Sequence, residues 1–119
     1  VDLTGVRTEL AGIITATGVG HCYAYAPDTV APPVLFIDSL DLEWIPGNPI
    51  TSAKVILTVQ HLVHRNDTES ALKEVEAAIP IVSDALDVTD YLLTDARAGV
   101  AEVGSQSLVV ASYTVENYV

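Results

Sequence analysis

Leu3, Val6, Leu10, Ile13 and Ile14 recur at helical spacing, and the run stops at Thr17-Gly18-Val19-Gly20, where glycines favour a C-terminal cap and a turn. A first helix is predicted there. His21 to Tyr25 predicts a short strand, after which Pro27 and the Pro32-Pro33 pair interrupt regular structure. Val34-Leu35-Phe36-Ile37 is a continuous apolar run of strand length, which predicts cover on both of its faces. From Leu40 the pattern alternates, with Leu40, Leu42 and Trp44 on one side and Asp41 and Glu43 on the other, until Pro46-Gly47-Asn48-Pro49 imposes a turn. The longest strand candidate is Ala53 to His64. Val55, Leu57, Val59 and Val63 share one of its faces, and Ile56, Thr58, Gln60 and Leu62 share the other.

Asn66 followed three residues later by Glu69 resembles a capping box, and Leu72, Val75, Ile79, Val82 and Leu86 then repeat at helical intervals, with Glu69 and Lys73 paired four apart. Pro80 lies inside this second helix. Proline removes a backbone donor and crowds the preceding turn, so a kink or two shorter helices are expected. The stretch from Tyr91 to Asp95 carries little pattern. Two alternating segments close the chain, Arg97 to Val103 and Ser107 to Tyr118, with Gly104-Ser105-Gln106 as the hairpin turn between them. A length of 119 residues suits one domain around one core, and no internal repeat or interdomain linker is visible.

Composition then narrows the function. Half of the residues are apolar, a large share for a chain that must show polar groups to water on every side, so part of that surface is expected to meet another subunit. No run reaches the roughly 20 apolar residues that cross a bilayer, and Val1-Asp2-Leu3 does not begin a basic-then-apolar leader, so the chain reads as soluble and unsecreted. A single cysteine, Cys22, forms no internal disulfide, which fits a reducing compartment. Sixteen acidic residues against five basic ones give a formal charge of −11. The five cations Arg7, Lys54, Arg65, Lys73 and Arg97 are scattered, so sequence-specific binding of nucleic acid is disfavoured.

The chemistry is mostly a set of absences. His61 and His64, three apart on a strand, point to opposite faces and do not share a metal. Cys22 beside His21 reads as a small buried apolar group rather than a nucleophile. Asp38, Asp41 and Glu43 lack the glycine turn and bidentate glutamate of a calcium loop and read as a solvated loop. Gly18-Val19-Gly20 follows a helix and precedes a strand, the reverse of the order that aims backbone donors at a phosphate, and reads as a turn. No catalytic, cofactor-binding or metal-binding residue is expected, and the chain reads as a non-enzyme.

The short amphipathic helix, then Tyr23-Ala24-Tyr25-Ala26-Pro27-Asp28, then Val30-Ala31-Pro32-Pro33-Val34, resembles the tail terminator proteins of long-tailed actinobacteriophages. The long strand Ala53 to Val63, the helix opening Asp67-Thr68-Glu69-Ser70-Ala71-Leu72 and the ending Val109-Val110-Ala111-Ser112-Tyr113-Thr114-Val115 are similar to that family as well. The resemblance implies an α+β fold, a single mixed α/β domain with a largely antiparallel sheet covered by two main helices. It also implies a virion protein at the head-tail junction, assembled in the host cytoplasm as a ring of six copies. Such a ring caps the head-proximal end of the tail tube, stops polymerisation of the major tail tube protein and docks head completion (stopper) proteins, with no membrane contact. Genome DNA would pass through its lumen without sequence-specific binding, past acidic walls that repel phosphates.

Interface residues are sought where a rigid turn or a free end reaches a neighbour. The first candidates are Trp44, Ile45, Pro46 and Asn48 in a loop from Asp38 to Thr51, with the alternative that Trp44 simply covers the sheet. Pro32 and Pro33 in the segment from Pro27 to Pro33 come second, and Tyr118 in the free C-terminal Glu116-Asn117-Tyr118-Val119 third. Two other readings fit the same pattern: a different head-tail connector, such as a neck or head completion subunit, or a small cellular ligand-binding α/β domain.

Overall fold

Helix α1 (Leu3–Ala16), strands β1 (Cys22–Tyr23), β2 (Val34–Trp44) and β3 (Ala53–His64), helix α2 (Thr68–Asp87), and strands β4 (Leu92–Val103) and β5 (Gln106–Tyr118) follow one another along the chain. A computed structural model describes residues 2–29, 31–44, 53–64, 67–103 and 106–118. The strands form one sheet in the order β1-β2-β3-β5-β4, antiparallel at every junction except the short parallel pairing of β1 with β2. This is the α+β arrangement that the sequence leads one to expect.

The alternation along β3 decides where the core lies. Ala53, Val55, Leu57, Val59, His61 and Val63 are all buried on one face. They lie beneath Leu10, Ala11 and Ile14 of α1 and Ala71, Val75, Val82 and Leu86 of α2, beside Val109, Ala111, Tyr113 and Val115 of β5. On the opposite face Val34, Phe36, Leu62 and Leu108 form a smaller apolar cluster with Val110 against it. Further along that second face the rows become polar, with Ser112 Oγ donating to Gln60 Oε1 at 2.7 Å and Lys54 ion-paired to Glu116.

Two bulges keep the edges of this sheet in phase with the core. The β2–β3 register steps from Ile37↔Val59 to Ser39↔Thr58, so Asp38 is an extra residue. Because side chains alternate, the extra residue returns Leu40 and Leu42 to the helix-covered face that Leu35 and Ile37 occupy. The two strand segments expected at 34–37 and from 40 onward are therefore one strand. Asp38 and Ser39, between those two segments, belong to it, and Asp38, Asp41 and Glu43, read as a solvated loop, are exposed strand residues. Likewise β4 begins at Leu92, earlier than the expected Arg97, because an extra residue at Thr94 lets Leu93 and Ala96 both face the core despite their odd spacing.

Local chemistry fixes the ends of the elements. The Asp2 carboxylate accepts from Gly5 N at 2.9 Å and caps α1. After it Gly18, at φ 85°, makes the expected turn, and Gly20 passes so close to Leu35 that an added Cβ would lie 2.7 Å from its Cδ1. Strand β1 covers only Cys22 and Tyr23 of the expected His21 to Tyr25, since the ladder stops two residues after it starts. Asp67 holds the N-cap position of α2, where its carboxylate makes no capping bond to the backbone and accepts instead from Ser70 Oγ at 2.7 Å; the expected cap Asn66 lies outside the described residues. The Glu69–Lys73 pair forms at 3.2 Å. Helix α2 is continuous through Pro80 rather than split, because Pro80 and Glu76, whose carbonyl loses its donor, both lie on the exposed side. At its end Thr89 Oγ1 donates to Leu86 O at 2.8 Å and accepts from Tyr91 N at 3.2 Å, turning the chain into β4. Gln106, expected in the hairpin turn, is the first residue of β5, paired with Val103; Gly104 and Ser105 lie outside the described residues.

Arg7 ties three segments together. Its Nη1 donates to Ala24 O at 2.8 Å and to Ile37 O, next to the bulge, at 3.1 Å, while the guanidinium stacks 4.5 Å from the centre of the Tyr25 ring. Replacing it by an apolar side chain of similar length removes both bonds and leaves the two carbonyls without that donor. Arg7→Met is expected to lower the unfolding free energy in urea by about 1–3 kcal/mol. An unchanged midpoint and slope would show that the tie carries no stability.

Candidate functional site

The register places the interface candidates at two opposite ends of the sheet. Trp44 pairs with Ala53 and Tyr118 with Lys54, one row further on, so both stand at the end where β2 stops and β3 begins. Leu92, paired with Glu116, and Val88, the residue that caps α2, reach the same end. All four are exposed: Trp44 60%, Tyr118 58%, Leu92 53% and Val88 86%. Trp44 is paired with Ala53 and so stands on the face of the sheet that the helices cover, beyond their reach. Tyr118 is the last residue of β5 and pairs with Lys54 of β3, while the pairing of β5 with β4 reaches only to Glu116. Ile45, Pro46 and Asn48 lie outside the described residues. Pro32 and Pro33, joined by a cis peptide, precede Val34 at the other end, roughly 30 Å away along β3.

At that far end Pro33 borders a set of adjoining clefts between the first half of α2 and the β1–β2 edge. One, of about 300 Å³, is lined by Pro33, Val63, His64, Asp67, Ala71 and Glu74 among others. A second, of about 320 Å³, takes in Val19, His21, Tyr23, Pro33, His61 and Glu74, and a third, of about 190 Å³, passes from His61 and Glu74 to Ile81. Glu74 borders all three. The three histidines of the chain, His61 and His64 on β3 and the distant His21, therefore come to adjoining clefts. Sequence reading separated His61 from His64 correctly, since they lie on opposite faces of β3, but it had no means to bring His21 and Glu74 beside them.

The titratable groups here are shaped mainly by burial. His61 is 3% exposed, its Nδ1 has no hydrogen-bond partner, and desolvation lowers its pKa against a smaller opposing pull from Glu74. Burial pushes the Cys22 thiol up to about 12, which removes the thiolate a nucleophile needs. Tyr113, whose hydroxyl also lacks a partner, is pushed up to about 12 by burial. Tyr91 is likewise raised to about 12, by burial first and Glu9 second, and its hydroxyl donates to Val6 O at 3.3 Å, tying the start of α1 to the start of β4. Among the described residues no three His, Cys, Asp or Glu side chains are grouped to hold a metal ion, and no helix is long and apolar enough to cross a membrane.

The second surface that sequence reading missed is the outer edge of β4. It is the last strand of the sheet, 12 residues long, and carries Ala96, Ala98, Gly99 and Ala101 with exposed Leu92 and Val100. Its one cation, Arg97, is bonded to Asp95 at 2.9 Å. Long edges are usually blunted by charges, proline, a bulge or a covering element; β4 has its bulge at Thr94 and charges at Asp95, Arg97 and Glu102, but neither lysine nor proline, and none of these from Ala98 to Ala101. The signal was present in the run of small residues, which leaves a backbone edge open to approach. No family model and no curated protein sequence matches the chain.

A buried neutral imidazole has a definite pH signature. His61 titrates below its unfolded value near 6.5, so the unfolded chain binds more protons just below that pH. Its contribution is at full value above pH 6.5 and is lost as pH falls through the folded pKa. Urea unfolding at pH 7.5 and 5.0 is expected to show a smaller acid loss of stability in His61→Leu than in the wild type. Equal losses would place the pH dependence on the carboxylates alone.

Proposed function

We propose that this chain is a structural, non-enzymatic ring subunit of a phage tail, the terminator that caps the head-proximal end of the tube. The observation that supports it best is the pair of unlike open edges on one sheet. On one side β4 offers a 12-residue edge that carries Ala96, Ala98, Gly99 and Ala101; on the other β2 continues past its pairing with β1, at Leu35 and Phe36, to Trp44. Two unlike edges join head to tail, and head-to-tail contacts close into rings when the rotation between copies allows. Each copy would then present its two ends, Trp44 with Tyr118 and the Pro33 groove, to different axial neighbours: the major tail tube protein and a head completion protein. The six-fold count comes from the family resemblance, as does the location in the virion. Exposed Asp38, Asp41 and Glu43 suit a lumen wall along which DNA slides without being held.

The function is tested by mixing the purified protein with polymerising tail-tube subunits and measuring tube lengths by electron microscopy. Shortened tubes with an added ring at one end are expected; tubes of unaltered length with bare ends would overturn the reading. The edge pairing is tested separately. Val100→Lys, at an exposed position, is expected to leave thermal unfolding within about 0.5 kcal/mol of wild type while abolishing capped ends. Normal capping by that variant would mean that β4 is not the joining edge. Trp44→Ala is expected to weaken capping without unfolding the subunit.

A further inference from the structure

We infer that the groove along the first half of α2, centred on Glu74 and His61, receives a basic side chain flanked by apolar residues from a protein other than this one. The inference concerns the chemistry of the occupant and holds whether or not the assembly is a tail ring.

Three observations carry it. First, Glu74 stands where the three clefts meet and has neither an ion pair nor a hydrogen bond among the described residues, and Asp67 lines the same groove with its carboxylate accepting from Ser70. Second, His61, 3% exposed, lines two of these clefts, and its Nδ1 is buried without a partner among the described residues. A buried polar atom without a partner costs stability, and such atoms recur at sites that a ligand completes. Third, apolar side chains stand on either hand of the carboxylate, Pro33, Val63 and Ala71 beside the polar His64, Asp67 and Ser70 to one side, and Val19, Ala78 and Ile81 beside His61 to the other. An extended segment with a cation between two aliphatic side chains matches that order of apolar, acidic, apolar.

Charge decides between a second copy and a different protein. Each described cation is already engaged within its own chain. Arg7 holds two carbonyls and the Tyr25 ring, Lys54 pairs with Glu116, Lys73 with Glu69 and Arg97 with Asp95. The Lys73 and Arg97 pairs are exposed and weak, and Arg65 lies outside the described residues, but a chain with a formal charge of −11 presents a like-charged surface to an acidic groove on its neighbour, and that opposes the approach. The occupant is therefore a basic segment of another protein.

The probes are two pentapeptide amides, Val-Leu-Arg-Leu-Val and the same sequence with Gln for Arg, titrated into the isotope-labelled full chain while amide and imidazole resonances are followed. The arginine peptide is expected to shift the resonances of His61, Glu74 and Ala71 and to bind at least about threefold more tightly than the glutamine peptide. Glu74→Gln, at an exposed position, is expected to erase that difference while leaving the rest of the spectrum in place. Equal binding of the two peptides, shifts that map elsewhere, or no shift up to about 10 mM peptide, where only affinities weaker than about −3 kcal/mol escape notice, would overturn the inference. So would a sedimentation experiment without peptide in which the wild type self-associates and Glu74→Gln does not, since the occupant would then be a second copy.

Discussion

Strand β3 lies in the middle of the sheet with both neighbours antiparallel to it, and every second side chain along its length is sealed beneath the helices. A one-residue slip of this strand would exchange Val55, Leu57 and Val59 for Ile56, Thr58 and Gln60, placing polar groups in the core. Burying each aliphatic side chain is worth about 1.5–3 kcal/mol, so the correct phase is strongly enforced. Everything else takes its position from that phase: β5 by pairing, β2 by pairing with one bulge, β4 at one remove with another, and the helices by resting on the apolar side.

The parts of the fold legible in the sequence are those where one local rule acts alone. The bounds of β3 and the start and end of α1 follow from unbroken periodicity, and Gly18 from the need for positive φ. Elsewhere two rules competed. Bulges at Asp38 and Thr94 have no residue signature, so the alternation before and after each looked like separate segments or none. Asn66 and Asp67 are equally good caps, and only the packing of Ala71 and Val75 sets the helix phase that selects the second. Pro80 is a strong local breaker overruled by Val75, Ala78, Val82 and Leu86, which stay buried on both sides of it.

The candidate surfaces were legible to a lesser degree because they are assembled across long distances in sequence. Trp44 was visible as a large aromatic residue beside a proline-bounded turn and Tyr118 as one near the end of the sequence, yet only the register reveals that they are one row apart. The groove draws Val19, His61 and Glu74 from three elements, and no spacing rule connects them. The open edge of β4 is a property of strand order, which a single sequence does not fix.

The extra residue at Asp38 bears on how this chain can change over generations. Lengthening or shortening β2 beyond the bulge by one residue would exchange Leu40 and Leu42 with Asp41 and Glu43 across the sheet, whereas a change of two would leave the sides as they are. Relatives should therefore differ in this arm by even steps, or by an odd step that erases the bulge and restores the parity in the same event. A hairpin that reaches toward a neighbour can in this way adapt its span to a new partner in increments of about 7 Å, two residues at a time, without disturbing the ground it grows from.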